Sequence, residues 1–113
     1  MRKAPVAWLD VPGRPAYPVW CLWIEDSLYV VSGPDEQAAP GLDRAAAVCV
    51  SARGDHGGRI VTWSALVSRV RPDTPEWYAV VPSLASKRLN GPPAAELIER
   101  WARTAVVSRL RPI

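Results

Sequence analysis

Few side chains in this chain of 113 residues could do chemistry. It has one histidine, His56, in the loop Arg53-Gly-Asp-His-Gly-Gly58. Acid or base work would need a nucleophile or a carboxylate within its reach. Asp55 shares the same glycine-rich turn, and a solvated loop is the plainer assignment for both residues. The two cysteines, Cys21 and Cys49, lie in apolar strand-like runs and read as buried reduced thiols. Two cysteines and one histidine do not make a zinc spacing. The sequence has no serine–histidine–acid arrangement and no phosphate-loop motif, and no paired carboxylates mark a site. Any chemistry would come from a cofactor that the protein binds and orients.

The candidates for binding are aromatic and small polar residues. The chain has 6 Trp and 0 Phe. Tryptophan brings a large apolar body and an N–H that needs a partner. Pro18-Val19-Trp20 could form a wall under a planar ring, or could be packing. Ser32-Gly33 could offer a hydroxyl and a bare amide to a phosphate, or could be an ordinary strand end. Trp63 and Trp101 could line a pocket or fill the core. Arg69, Arg71, Arg109 and Arg111 could form a basic patch if the last strand pairs with the longest one. A solvated rim is the plainer reading.

The elements that must position these residues are mostly strands. Val19 to Ile24 and Leu28 to Ser32 read as a hairpin, with Glu25-Asp26-Ser27 as its polar break. Val19, Cys21 and Trp23 form one face and Trp20, Leu22 and Ile24 the other. Both faces are apolar, so both must be covered. A barrel interior covers one; a helix, a partner subunit or a flat ligand covers the other. An edge strand is expected at Val6 to Leu9, a helical turn after Pro40, a strand over 45–51 and a long strand over 59–71. Asp73 or Thr74 caps a helix over 75–81, and Pro82 is expected to divide it from a second over 83–89. Ala94 to Thr104 reads as an amphipathic helix burying Leu97, Ile98 and Trp101, and Val106 to Leu110 as the last strand. The fold class is therefore mainly β: one domain, an antiparallel barrel of about six strands with peripheral helices.

Composition narrows the classes further. The net charge is +3, and the arginines are scattered rather than clustered. That disfavours a nucleic-acid role, and the two-faced hairpin asks for burial rather than an exposed stacking platform. No run is long enough to span a bilayer, and residues 4–10 are too short for a signal core. A cytoplasmic protein is expected.

The residues Tyr17-Pro-Val-Trp20, Leu22-Trp23, Leu28-Tyr-Val-Val-Ser-Gly33, Gly41-Leu42, Gly58-Arg-Ile-Val-Thr-Trp63, Glu76-Trp77 and Lys87-Arg88-Leu89 carry a resemblance. Over residues 17–112 the chain resembles the pyridoxamine 5′-phosphate oxidase-like FMN-binding split barrels and their deazaflavin-dependent relatives. The resemblance implies a homodimeric split barrel with FMN or a deazaflavin at the dimer interface, acting on a small molecule as an oxidoreductase. The cofactor-binding residues it implies are Pro18, Val19, Trp20, Ser32, Gly33, Gln37 and Trp63, with Arg59 and Lys87 as further phosphate contacts. Where the family places a cation after the second strand, this chain has Asp35-Glu36-Gln37-Ala38-Ala39. Carboxylates there repel a phosphate. The alternative is a split-barrel dimer that binds no cofactor and serves as a binding or interaction module.

Overall fold

Glu25 and Asp26 form a two-residue turn, with Ile24 opposite Ser27 and Glu25 in the left-handed region at φ 55. From that hairpin a sheet of seven strands extends. The computed structural model describes residues 6–53, 60–87 and 93–113. Its strands are β1 (Val6–Asp10), β2 (Tyr17–Trp20), β3 (Leu22–Ile24), β4 (Ser27–Ser32), β5 (Ala47–Arg53), β6 (Ile60–Val70) and β7 (Val106–Pro112). Helices α1 (Pro75–Lys87) and α2 (Ala94–Thr104) lie between β6 and β7 in sequence, and a single 3₁₀ turn, Leu42–Arg44, precedes β5.

The strand order is β2-β1-β5-β6-β7-β4-β3, antiparallel throughout. The expected strand Val19 to Ile24 is two strands, which makes seven rather than six. Tyr17–Trp20 pairs with β1, from Leu9↔Tyr17 to Val6↔Trp20, and only Leu22–Ile24 pairs with β4. The break falls at Cys21. A local hairpin accounts for it: Gly13 takes φ 81, the Arg14 amide donates to the Val11 carbonyl, and the chain returns along β1. One stretch of chain thus supplies both outermost strands, and the sheet curls into a nearly closed barrel.

Gln37 spans the remaining split. Its Nε2 donates to the Trp20 carbonyl at 2.8 Å and to the Val31 carbonyl at 3.1 Å, while its Oε1 accepts from the Trp20 amide at 2.7 Å. A parallel bridge between Ser32 and Gln37 completes the join. The carboxamide satisfies strand-edge groups that have no neighbouring strand.

Alternation sorts the side chains into two cores. Leu9, Val19, Cys21, Leu28, Val30, Val50, Ala65 and Leu110 fill the barrel interior. Tyr29, Val31, Val70 and Val107 face outward beneath Trp77, Val81, Leu84, Leu97 and Trp101 of the two helices. Trp20, Leu22 and Ile24 pack against this second core. A helix layer therefore covers Trp20, Leu22 and Ile24, the second apolar face of the 19–24 stretch.

Thr74 caps α1: its Oγ1 accepts from the Trp77 amide at 3.2 Å and donates to the Arg71 carbonyl. Contrary to expectation, α1 runs unbroken through Pro82. Pro82 and Tyr78 are both exposed, so the carbonyl left without a donor at Tyr78 faces water. Buried Trp77, Val80, Val81, Leu84 and Ala85 anchor the helix on both sides. The second helix expected over 83–89 is part of α1 as far as Lys87, and its end lies outside the described residues.

Replacing Gln37 by leucine leaves three backbone groups without a partner, and should destabilise the fold by roughly 2–4 kcal/mol. Chemical denaturation checks this. A loss under about 0.5 kcal/mol, the range of an ordinary surface substitution, would show that the split is closed by other means.

Candidate functional site

The helices cover only one side of the barrel. Among the described residues no helix lies over the outer faces of β1, β5, the first part of β6 or the Pro18 end of β2, and Val6, Trp8, Ile60 and Leu66 stand exposed there. The register sets the rows across this face. Trp8 lies opposite Pro18 and Ser51, and Ser51 opposite Thr62. The Ser51 and Thr62 hydroxyls are 3.0 Å apart. One step along, Asp10 lies opposite Cys49, and Cys49 opposite Ser64; Ala47 pairs with Leu66 in the row beyond. The face is apolar, with small hydroxyls and one carboxylate.

Clefts mark this side of the barrel. One of 590 Å³ is lined by Val6, Trp8, Ala16, Ser51, Ala52 and Ile60. A second, of 350 Å³, runs past Asp10, Pro12, Ala47, Cys49, Ser64 and Ile113. A third, of 520 Å³, lies between the β1–β2 loop and the 3₁₀ turn, and Arg14 and Arg44 line it. Trp8 is 51% exposed and is the aromatic side chain of the first cleft.

Among the described residues, those singled out from sequence point to different sides of the sheet. Pro18 is exposed on the helix-free side, while Val19 points into the barrel core. Trp20, half-buried, packs toward the helices. Trp63 faces inward and meets Trp23, with ring centroids 5.3 Å apart and an interplanar angle of 41°. Lys87 is exposed at the end of α1. Arg59, like His56 and Asp55, lies outside the described residues.

The structure brings Trp20, Ser32, Gly33 and Gln37 together, but as a backbone junction. Both amide hydrogens of Gln37 are committed to carbonyls. The Gly33 amide donates to the Gln37 carbonyl, and the Gly33 carbonyl accepts from the Glu36 amide. A Cβ on Gly33 would stand 2.9 Å from the Thr104 carbonyl, so this turn is pressed against the end of α2. The Glu36 side chain is 2% exposed and pairs with Arg100 of α2 at 3.7 Å. In this arrangement the Gln37 amide and the Gly33 amide have no donor left for a phosphate.

Of the four arginines considered as a patch, Arg109 and Arg111 do lie beside β6, opposite Ser68 and Leu66. Arg109 is neutralised. It donates to Ser27 Oγ at 2.8 Å and pairs with Asp26 at 3.2 Å and Glu76 at 3.4 Å, joining β7, the β3–β4 turn and α1. The Ser27 hydroxyl and then Arg109 hold the Asp26 carboxyl below its ordinary range. Burial pushes the Cys21 thiol up to about 12. Cys21 and Cys49 form no disulfide.

Trp8, Arg14 and Arg44 are the residues that sequence reasoning missed. In Val6-Ala7-Trp8-Leu9, both faces of the strand are apolar, so the pattern gives no sign of which face the helices leave bare. The arginines sit in turns that carry no motif.

Among the described residues no group of three or more histidine, cysteine, aspartate or glutamate side chains could hold a metal, and no helix is long and apolar enough to cross a membrane. No protein-family model and no curated protein matches the sequence. Solved structures do match the fold. The heme storage protein HutZ from Vibrio cholerae superposes with a TM-score of 0.67 at 16% identity, over 96% of this chain and 82% of that one. A putative pyridoxamine 5′-phosphate oxidase from Listeria innocua gives 0.61 at 20% identity, over 96% and 83%. An F420 reductase gives 0.59 at 20% identity, over 98% and 88%. The chain has the split-barrel fold of these proteins.

The thiol assignment has a direct check. Iodoacetamide at neutral pH should leave Cys21 unmodified in the folded protein and label it only as fast as the chain unfolds, because the thiolate is the reactive form. Mass spectrometry after timed quenching reads this. Rapid labelling of Cys21 under native conditions would contradict its place in the barrel core.

Proposed function

We propose that this chain is an FMN- or deazaflavin-binding oxidoreductase-like protein that acts on a small molecule as a cytoplasmic homodimer. The observation that carries the reading is the helix-free outer face around Trp8. Val6, Trp8, Ile60 and Leu66 are too exposed for a chain that works alone. The same face offers a half-exposed indole, two hydroxyls and an open cleft, which suit a planar aromatic body. Similarity of fold to a putative pyridoxamine 5′-phosphate oxidase and to an F420 reductase supports the reading.

The residues fit such a group in part. Trp8, Ser51 and Thr62 would hold the ring, while the Gly33 and Gln37 amide donors of the turn after β4 are committed to backbone carbonyls. A bound flavin or deazaflavin would supply hydride transfer. The protein's own residues would orient the ring and exclude water from it. The commitment of Gly33, Glu36 and Gln37 favours a second reading, a dimeric barrel that binds no cofactor and serves as an interaction module.

Light scattering at micromolar concentration should give the mass of two chains, and Leu66→Glu should shift it toward one by placing a charge on the exposed face. A monomer in the unaltered protein would count against both readings. Titration with FMN and with a deazaflavin, followed by fluorescence, separates them. Saturable binding of either supports the first reading. A dimer that binds neither supports the second.

A further inference from the structure

We propose that the cleft between the β1–β2 loop and the 3₁₀ turn is an anion site, in which Arg14 and Arg44 hold the phosphate of the ligand whose ring lies near Trp8. This rests on the flavin reading above and gives the ligand a phosphate contact that the turn after β4 does not provide.

The first support is charge. Arg14 and Arg44 line one cleft, and among the described residues neither forms an ion pair within 4.0 Å. Arg109 and Arg100, by contrast, are matched to carboxylates. Two guanidinium groups sharing a cleft repel each other, and a phosphate that accepts from both would reverse that. Arginine's planar fork suits phosphate oxygens. Two carboxylates lie beside this region, Asp43 and, in the adjoining cleft, Asp10, and both are exposed; burial raises the pKa of the Tyr17 hydroxyl, which Arg14 lowers and Asp43 raises.

The second support is that both loops are fixed before any ligand arrives. The Arg14 amide closes a turn on Val11, and the Tyr17 hydroxyl donates to the Pro40 carbonyl at 2.9 Å. Leu42 is buried in the barrel core, which anchors the 3₁₀ turn carrying Arg44. Gly41 adopts φ 78, and a Cβ there would stand 2.7 Å from Arg14 Nε. The glycine leaves the space that the Arg14 side chain fills. Val11 and Ala45 to Ala47 give the cleft apolar walls.

The third support is placement. The arginine cleft and the middle cleft share Pro12 and Ala47, and Cys49 of the middle cleft is followed on the same face by Ser51 of the Trp8 cleft. From Ala47 to Ser51 is about 13 Å at about 3.3 Å per strand residue. A ring carrying a phosphate on an extended side chain spans that distance.

The experiment compares ligands with and without the phosphate. FMN should bind the full-length protein roughly ten- to a hundredfold more tightly than riboflavin, the difference expected of one charged contact. Arg14→Gln with Arg44→Gln should bring FMN down to the riboflavin level and leave riboflavin unchanged. The same pair of titrations with 5-deazaflavin mononucleotide and 5-deazariboflavin covers a deazaflavin ligand. If the double variant keeps the advantage of the phosphate, the anion site is elsewhere and the inference falls, while the flavin reading stands. If no flavin or deazaflavin binds, the flavin reading falls, and inorganic phosphate tests the site alone. Saturable movement of the Arg14 and Arg44 Nε–Hε signals in the NMR spectrum then supports the anion site, and fixed signals overturn it.

Discussion

The Gln37 carboxamide, locked between Trp20 and Val31, is the contact on which the rest of the architecture depends. A seven-stranded sheet whose outermost strands come from one chain segment has two bare edges separated by a single residue, Cys21. Bare edges expose backbone groups that must find partners. Gln37 supplies them with a side chain that imitates a peptide unit, one acceptor and two donors. Its own backbone carbonyl accepts from Gly33, so the clamp and the turn after β4 are one unit.

That unit fixes the helices. Gly33 is pressed against the Thr104 carbonyl, and the buried Glu36 side chain pairs with Arg100, so the C-terminal end of α2 is held where the split closes. Arg109 does the same for α1, binding Glu76 on one side and Asp26 on the other. With both helices held over β3, β4, β7 and the end of β6, the opposite wall is left bare. The apolar face around Trp8 is thus a consequence of where the helices are fastened.

Much of this was legible in the sequence. The Glu25-Asp26-Ser27 break marks a hairpin because strands so close together can only turn back, although Ser27 itself is the first residue of β4. Thr74 and Glu76 mark a helix start, and Leu97 with Trp101 marks the buried stripe of α2. The resemblance carried by residues 17–112 pointed to the split barrel. Other features were hidden for physical reasons. Residues 17–24 are apolar on both faces, and alternation alone does not reveal a change of partner at Cys21. Pro82 reads as a breaker unless the orphaned Tyr78 carbonyl is known to face water. A glutamine can donate equally well to a phosphate or to a backbone carbonyl, so the role of Gln37 depended on which strands it lay between. Trp8 and Leu66 could not be told from core residues before the helix layer was placed.

The proposed ligand site is the helix-free wall and not the turn after β4. Fluorine NMR of protein labelled with 5-fluorotryptophan tests it directly, because Trp8 and Trp20 sit at the two rival places. With signals assigned by single Trp→Phe substitutions, addition of FMN or 5-deazaflavin mononucleotide should shift the Trp8 resonance and leave that of Trp20 in place. Movement of Trp20 with Trp8 unchanged would contradict the account.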